Sequence, residues 1–200
     1  MFLENSVNEK KQFGWIEVIC GSMFSGKTEE LIRRLRRSQF ANQKIEIFKP
    51  LVDLRYDDEM ITSHDQNQIQ STSVPAAANI PILADGCDVV GIDEAQFFDV
   101  EIIQVCNDLA NSGVRVIVAG LDMDFQGNPF GPMPGLMATA EYVTKFHAIC
   151  TRTGNLANYS YRISADKSLI HLGEKESYEP LSRSTFFKAI DDQKKKNKDS

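Results

Sequence analysis

An eight-residue segment near the start of the chain, at positions 21–28, constrains the fold more than any other feature. It reads G-S-M-F-S-G-K-T and matches the phosphate-binding pattern G-x-x-x-x-G-K-[ST] at every fixed position. An apolar run at 15–20 precedes it, and a run of helical character at 29–37 follows it. The motif needs this strand–loop–helix context to cradle phosphate. The segment therefore predicts binding of a nucleoside triphosphate, with a Gly-rich turn into an ordinary helix as the alternative.

The positions of this loop have separate physical roles. Gly21 and Gly26 allow the backbone to turn with positive φ and to approach phosphate without a Cβ in the way. The backbone amides that follow would point inward, where the dipole of the next helix adds positive potential. We expect the Lys27 ammonium at the β- and γ-phosphates and the Thr28 hydroxyl at Mg²⁺. The predicted nucleotide-binding residues of the loop are Gly21, Ser22, Met23, Phe24, Ser25, Gly26, Lys27 and Thr28.

Apolar runs alternate with helical patterns along most of the chain. Strands are predicted at 15–20, 44–48, 88–93, 114–121 and 142–149, and helices at 28–39 and 100–111. Short apolar runs that alternate with helices are typical of a parallel sheet covered on both faces. The polar segment 51–74 predicts a hairpin excursion, and the Gly- and Pro-rich segment 125–135 predicts an irregular loop.

The pattern weakens after Cys150. Short strands at 158–163 and 168–172, followed by a terminal helix at 184–194, predict a small second unit. The predicted divisions are an α/β domain at 1–149, a small domain at 150–190 and a basic tail at 191–200 that we expect to be disordered.

Charge and cysteine content exclude several classes of protein. The net charge of −6 argues against a general nucleic-acid binder, which normally presents a basic face. The segment 1–12 is polar, and no apolar stretch approaches the ~20 residues of a membrane span. We therefore expect a cytoplasmic protein that binds neither nucleic acid nor membrane. The cysteines are far apart and predict no disulfide framework, and Cys20 and Cys106 lie in apolar runs as expected of buried thiols.

Two consecutive acids end the apolar run at 88–92. Asp93 stands where the Walker B acid of a nucleotide-binding sheet lies, beside the phosphate loop, and would hold Mg²⁺. Glu94 follows and is placed to accept a proton from the group that attacks the γ-phosphorus. The alternative is that the two acids only cap the following helix.

Further motifs carry a resemblance to a known family. D-E-A-Q-F starts at Asp93, G-L-D at Gly120, F-Q at Phe125 and P-F-G at Pro129. Between the loop and these motifs lie K-P at 49–50, D-x-R-Y at 53–56 and H-D at 64–65. In this order and spacing the chain resembles type II thymidine kinase, strongly over 16–162 and more weakly to Tyr178.

The resemblance implies a fold and an activity. The fold would be α/β, with a RecA-like P-loop parallel sheet, helices on both faces and a small C-terminal lasso domain whose loop is at 161–178. The enzyme would use ATP and Mg²⁺ to phosphorylate the 5′-hydroxyl of thymidine in deoxynucleotide salvage. It would be a homotetramer inhibited by thymidine triphosphate.

The resemblance also implies roles for single residues. Glu94 would be the general base, Asp93 and Thr28 would hold Mg²⁺, and Arg55 would neutralise charge near the phosphates. Arg162 is expected in the same region and belongs to the thymidine-binding set. That set is Met23, Phe97, Leu121, Phe125, Ser160, Arg162 and Tyr178.

The chain departs from this family at one metal site. The family commonly carries a structural zinc held by two pairs of Cys or His residues in the small domain. Cys150 stands at the first ligand position, but Thr153, Ser182 and Thr185 stand at the others. Hydroxyls are poor zinc ligands, so we predict no zinc and a small domain held by packing. The expected apolar residues of that packing are Tyr159, Tyr161, Ile163, Leu169, Leu172 and Leu181.

Two other functions are compatible with the phosphate motifs. A RecA-like ATPase or nucleotide switch would use Glu94 to activate water. Separately, the alternative for each of Met23, Phe97 and Phe125 is plain packing. A base pocket needs the segments 125–135 and 160–178, and their presence favours the kinase. The negative net charge also favours the kinase, since a nucleic-acid motor would present a basic face. A catalytically inactive homologue is disfavoured because Lys27, Asp93 and Glu94 are all present.

Overall fold

The computed structural model of the protein describes residues 14–51, 60–62, 68–163 and 177–196. In chain order the strands are β1 (Trp15–Gly21), β2 (Ile45–Pro50), β3 (Met60–Thr62), β4 (Gln68–Gln70), β5 (Thr72–Val74), β6 (Val89–Ile92), β7 (Arg115–Gly120), β8 (Tyr142–Phe146), β9 (Ala148–Ile149), β10 (Leu156–Ala157), β11 (Tyr159–Arg162) and β12 (Tyr178–Leu181). The helices are α1 (Lys27–Phe40), α2 (Ile80–Leu83), α3 (Glu101–Asn111), α4 (Met133–Thr139) and α5 (Arg183–Lys196), with single 3₁₀ turns at Ala77–Asn79 and Ala95–Phe97.

Six strands form one parallel sheet in the order β5-β2-β6-β7-β1-β8. Helices cover both faces, since α1 buries Leu31 and Leu35 against one side while α3 buries Ile102 and Cys106 against the other. Strands buried on both faces read as continuous apolar runs, which is why β6 and β7 are so apolar. The predicted α/β fold with a parallel sheet is confirmed. Among the described helices, none is long and apolar enough to cross a membrane.

A buried charge cluster lies on the face that α1 covers. The Glu17 carboxylate, 3 % exposed, is 2.7 Å from Nη1 of Arg34 through Oε2 and 2.7 Å from Nε of Arg115 through Oε1. Burial alone would raise the pKa of Glu17. The hydrogen bond and positive charge of Arg115, together with the Trp15 hydrogen bond and the charge of Arg34, lower this pKa below its usual value. The Trp15 indole N–H also donates to Glu17 Oε1, at 2.7 Å, and the Arg115 guanidinium lies 5.5 Å from the Trp15 ring centre. This charge therefore has partners inside the core.

The C-terminal part builds its own small core. β9 pairs with β10 and β11 with β12, both antiparallel, and α5 packs beside them. The Tyr159 ring stacks on Phe186 with 4.5 Å between centroids. The expected packing residues Tyr159 and Leu181 are buried and Tyr161 packs against the cluster, but Ile163 is 54 % exposed. The prediction for Ile163 is wrong, because it follows the last residue of β11; Leu169 and Leu172 lie outside the described residues.

Several element boundaries differ from the sequence predictions. The strand predicted at 142–149 breaks at His147, because β8 runs parallel to β1 in the main sheet whereas β9 turns to pair antiparallel with β10. The loop predicted at 125–135 ends earlier, since α4 begins at Met133 with a proline in its first turn, where helices tolerate it. In the excursion at 51–74, β3 and β4 form the expected antiparallel pair, but β5 joins the main sheet beside β2.

Other differences concern segments without a clear pattern. The 3₁₀ turn Ala77–Asn79 and α2 were not predicted. The tail at 191–200 is not disordered over its first part, because α5 continues to Lys196. The predicted strand at 158–163 is confirmed as β11, and the one at 168–172 lies outside the described residues. All four cysteines are buried free thiols, which confirms the expectation for Cys20 and Cys106.

Candidate active site

The phosphate loop follows β1 at the carboxyl edge of the sheet and leads into α1. Its backbone has positive φ at Gly21 (142°), Phe24 (62°) and Gly26 (88°), the last of which caps α1. A Cβ on Gly21 would lie 2.2 Å from the Phe146 carbonyl oxygen on the neighbouring strand. Glycine is therefore needed at position 21 for two reasons: the positive φ of the turn and the close approach of β8. The left-handed backbone at Phe24 costs about 1–3 kcal/mol, a strain typical of ligand-binding loops.

The Lys27 side chain is folded back onto this loop. Its Nζ donates to the Ser22 carbonyl oxygen at 2.9 Å, and Ser25 Oγ donates to the same oxygen at 2.8 Å. Burial lowers the pKa of Lys27, while the carboxylates of Glu94 and Asp93 oppose that shift. A partly buried ammonium near acids is suited to meet the negative charge of a phosphate group.

The two acids stand where β6 ends. Asp93, 6 % exposed, accepts from Thr28 Oγ1 at 3.4 Å through Oδ2 and from the Glu94 backbone N–H at 2.9 Å through Oδ1. Glu94 has φ 51° and ψ 40°, a left-handed conformation rare for a residue with a side chain. The 3₁₀ turn Ala95–Phe97 starts directly after it. The turn away from the strand thus sets the direction of the Glu94 side chain at the sheet edge.

The donor set beside the phosphate loop fits Mg²⁺. The Thr28 hydroxyl and the Asp93 carboxylate are oxygen donors brought together across 65 residues of sequence. Mg²⁺ prefers oxygen ligands and usually completes its shell with water and substrate phosphates. Among the described residues, no group of three or more His, Cys, Asp or Glu side chains could hold a metal without such help.

A second group of predicted residues lies where the phosphate loop meets the small domain. The Met23 backbone N–H donates to Ser160 Oγ at 2.9 Å. The Arg162 guanidinium stacks 3.8 Å from the Phe125 ring centre, and its Nη2 donates to the Tyr178 hydroxyl at 2.6 Å. Met23 is thus joined to Ser160, and Phe125, Arg162 and Tyr178 form one contiguous wall.

The other predicted residues are placed less directly. Phe97 makes an edge-to-face contact with Phe130, with 5.6 Å between centroids. The Leu121 backbone N–H donates to Gln96 Oε1 at 2.9 Å, which ties the end of β7 to the turn that carries Phe97. Arg55 and most of the lasso segment, 164–176, lie outside the described residues.

Three polar residues at this edge were not predicted from the sequence. Asp122, 6 % exposed, lies just beyond β7, and its charge also acts on Lys27. Lys145 of β8 places Nζ 2.6 Å from Asp122 Oδ2. Gln96 is 3 % exposed in the turn after Glu94. Asp122 and Gln96 belong to the motifs G-L-D and D-E-A-Q-F, and those motifs were the signal available for them.

The residues at the zinc positions of the family converge but do not fit zinc. Cys150 Sγ lies 3.9 Å from Thr185 Oγ1, which is 2.9 Å from Ser182 Oγ. Burial would raise the pKa of Cys150, but hydrogen bonds from the Thr153 hydroxyl and from nearby backbone N–H groups lower it to about 6. One sulfur and three hydroxyls are not the tetrahedral set of thiolates and imidazoles that structural zinc requires.

Comparison with known proteins places the chain in a family. The thymidine kinase family model matches residues 14–186. A thymidine kinase of Bacteroides fragilis is 54 % identical over 197 residues, which cover 98 % of this chain and 99 % of that protein. Thymidine kinases of Rhodothermus sp. and Bdellovibrio bacteriovorus are 58 % and 50 % identical, over 86 % and 89 % of this chain and 81 % and 88 % of theirs.

Similarity to a solved structure is much weaker. The X-ray structure of the Legionella pneumophila ATPase DotB aligns with a TM-score of 0.40 and 16 % identity, over 64 % of this chain and 35 % of that one. This overlap is too small to bear on fold or function. The family model and relatives with at least half of their aligned residues identical agree with each other and with the motifs at the sheet edge, and the chain belongs to the thymidine kinase family.

Proposed function

We propose that the protein is an ATP-dependent thymidine kinase that transfers the γ-phosphoryl group of ATP to the 5′-hydroxyl of thymidine, yielding ADP and thymidine monophosphate. Membership of the family supports thymidine phosphorylation. The observation that carries the proposal is the hydrogen bond from Met23 N to Ser160 Oγ. It joins the phosphate loop to the segment with the predicted base pocket, so that ATP and a nucleoside could meet between them.

The phosphate side of the reaction is assigned to the loop and to the end of β6. Backbone amides at the start of α1 would bind phosphate oxygens, and Lys27 would exchange the Ser22 carbonyl for the β- and γ-phosphates. Thr28 and Asp93 would hold Mg²⁺, whose charge neutralises these oxygens when it is bound. Arg55, which lies outside the described residues, is assigned its role near the phosphates from the family resemblance alone.

Glu94 is assigned the role of general base. Its carboxylate would accept the proton of the 5′-hydroxyl as that oxygen forms a bond to the γ-phosphorus and the bond from phosphorus to the β–γ bridging oxygen breaks. The left-handed conformation of Glu94 leads the chain from the end of β6 into the turn Ala95–Phe97, which keeps Glu94 at the sheet edge. The Glu94 carboxylate also acts on the charge of Lys27, which supports a place for Glu94 near the proposed γ-phosphate.

The nucleoside side is assigned to the wall of Phe125, Arg162 and Tyr178, with Met23, Phe97, Leu121 and Ser160. Flat bases bind between apolar and aromatic walls with a few polar contacts. Arg162 holds Phe125 and Tyr178 together through contacts within the chain, which supports their assignment to one wall.

The decisive experiment measures nucleoside-dependent ADP release. The purified chain is assayed with ATP and Mg²⁺ against thymidine, deoxyuridine, deoxycytidine, deoxyadenosine and no nucleoside. The kinase predicts ADP release that requires thymidine and a matching amount of thymidine monophosphate by chromatography. Equal ADP release with and without nucleoside would instead support an ATPase or nucleotide switch that activates water.

The cellular setting follows from the same family resemblance. We propose deoxynucleotide salvage for DNA synthesis in the cytoplasm, a homotetrameric assembly, and no zinc in the small domain. Light scattering of the purified chain tests the assembly, and a chain that stays monomeric at assay concentrations would contradict it.

A further inference from the structure

Gln96 bridges the proposed general base to the neighbouring strand. Its Nε2 donates to Glu94 Oε2, and its Oε1 accepts from the Leu121 backbone N–H at 2.9 Å. Glu94 follows β6 and Leu121 follows β7, so one buried amide spans two adjacent strand ends. The Leu121 N–H can only donate, so it requires the oxygen of the Gln96 amide and leaves the NH₂ group for Glu94.

The surroundings of Gln96 leave little room for another arrangement. A Cβ on Gly120 would lie 2.9 Å from Gln96 Oε1 and 2.6 Å from the Met133 sulfur. A Cβ on Gly131 would lie 2.3 Å from the Gln96 carbonyl oxygen. Two glycines on separate segments therefore make the space that this residue fills. Its side chain is held on the Gly120 side and its backbone on the Gly131 side.

We propose that Gln96 is a positioning residue for Glu94, an inference that rests on the proposed function. Glu94 sits on a strained turn, and a carboxylate there can rotate about its last side-chain bond unless one oxygen is held. Donation to Oε2 restricts that rotation and so holds the carboxylate in one orientation, in which the other oxygen would accept the proton of the substrate hydroxyl. Reacting groups must be held within about 0.5 Å of the productive geometry, and a misplacement of about 1 Å can cost ~100-fold in rate.

The test replaces Gln96 by methionine, which has a similar length and neither donor nor oxygen acceptor. Gln96→Met should lower kcat by about 10- to 100-fold and leave the KM values for thymidine and ATP within about twofold. A purely structural role of Gln96 predicts the opposite pattern, with an effect on KM and none on kcat. Loss of the Leu121 hydrogen bond would loosen the proposed pocket, raise the KM for thymidine and leave kcat unchanged.

A double-variant cycle adds a readout that a structural role would not produce. If Gln96 acts through Glu94, Gln96→Met should cost little or nothing in kcat when Glu94 is already replaced by glutamine. The matched control is Gln104→Met on the exposed face of α3. Gln104 Nε2 donates to a carboxylate, that of Asp108 at 2.8 Å, but lies away from the site. This control should keep the kcat of the unchanged chain.

A second variant protects the test against misfolding. Gln96→Glu keeps the side-chain shape and an oxygen acceptor for the Leu121 N–H but sets a second carboxyl against Glu94 in place of the donor, so it should lose at least tenfold in kcat at saturating ATP, with its fold checked by circular dichroism. If either variant binds ATP and retains the kcat of the unchanged chain, the proposal is overturned. An unchanged chain without thymidine-dependent ADP release would instead overturn the proposed function, so the two failures are distinguishable.

Discussion

At the scale of single residues, the proposed chemistry depends on a glutamate in a strained backbone position. The left-handed conformation of Glu94 costs about 1–3 kcal/mol, and the surrounding hydrogen bonds of Asp93 and Gln96 hold it there. Strain that is held by the fold in this way occurs at functional sites more than elsewhere. Both of these partners are sequence neighbours of Glu94, but Gln96 is itself held by the Leu121 backbone N–H at the end of β7, 25 residues away.

The first prediction concerns this residue. Glu94→Gln should lower kcat by about 10²- to 10⁴-fold because an amide cannot accept the hydroxyl proton. Dissociation constants for ATP and thymidine, measured by isothermal titration calorimetry, should change little because the side-chain shape is kept. Glu101→Gln on the exposed start of α3 is the control. Near-normal turnover of Glu94→Gln would show that another group is the base.

The second prediction concerns the loop lysine. Lys27→Ala should weaken ATP binding and reduce transfer by at least ~100-fold, since a charge on the β- and γ-phosphates is lost. Lys44→Ala removes an equally charged but exposed side chain, whose Nζ donates to the Asp85 carbonyl oxygen, and should have no effect. ATP titration and ADP release measure both variants. Unchanged affinity together with a normal rate would contradict the assignment of the phosphate loop.

At the scale of elements, the turn between β9 and β10 meets the start of α5 through Cys150 and Thr185. Backbone hydrogen bonds shape the turn, with Gly154 N donating to the Cys150 carbonyl at 2.8 Å. The 3.9 Å from Cys150 Sγ to Thr185 Oγ1 is close to the separation of two ligands in a tetrahedral site with bonds of about 2.3 Å. The side chains at these two positions are therefore about as far apart as two ligands of a tetrahedral site.

The third prediction uses this geometry. A chelator should change neither the Tm nor the thymidine affinity of the unchanged chain in excess Mg²⁺, and elemental analysis should find no zinc. The triple variant Thr153→Cys, Ser182→Cys, Thr185→Cys should bind one zinc per chain. Its Tm should rise by about 2–4 °C for each 1 kcal/mol that zinc adds to its stability, and a chelator should reverse this rise. One zinc per unchanged chain, lost together with its fold, would contradict the prediction.

Elements were predictable from sequence where periodicity and motif agreed. The strands β1, β6 and β7 could be predicted from their apolar runs, because a strand that is buried on both faces has a nearly continuous apolar sequence. The break at His147 was not predictable, since it depends on β9 leaving the sheet for β10. Gln96 was missed for a similar reason, because its partner Leu121 is 25 residues away in sequence. Local pattern contains no information on such partners.

At the scale of the whole molecule, two hydrogen bonds tie the phosphate loop to the small domain. Ser22 Oγ donates to the Ala157 carbonyl at 3.2 Å, and Met23 N donates to Ser160 Oγ. The two substrates are therefore proposed to bind to parts of the chain that are in direct contact. The family resemblance anticipated Ser160 in the site, but only the fold shows that its hydroxyl accepts from the loop itself.

The position of Trp15 gives the molecule a built-in optical probe, since it is the only tryptophan in the chain. It lies at the first residue of β1, whereas the phosphate loop follows the last, about 20 Å away at ~3.3 Å per residue. The Glu17 and Arg115 contacts of its ring depend on an intact sheet. Its emission should therefore follow denaturant unfolding of the sheet and stay constant on addition of ATP or thymidine, and a large change on ligand binding would mean that the sheet itself rearranges.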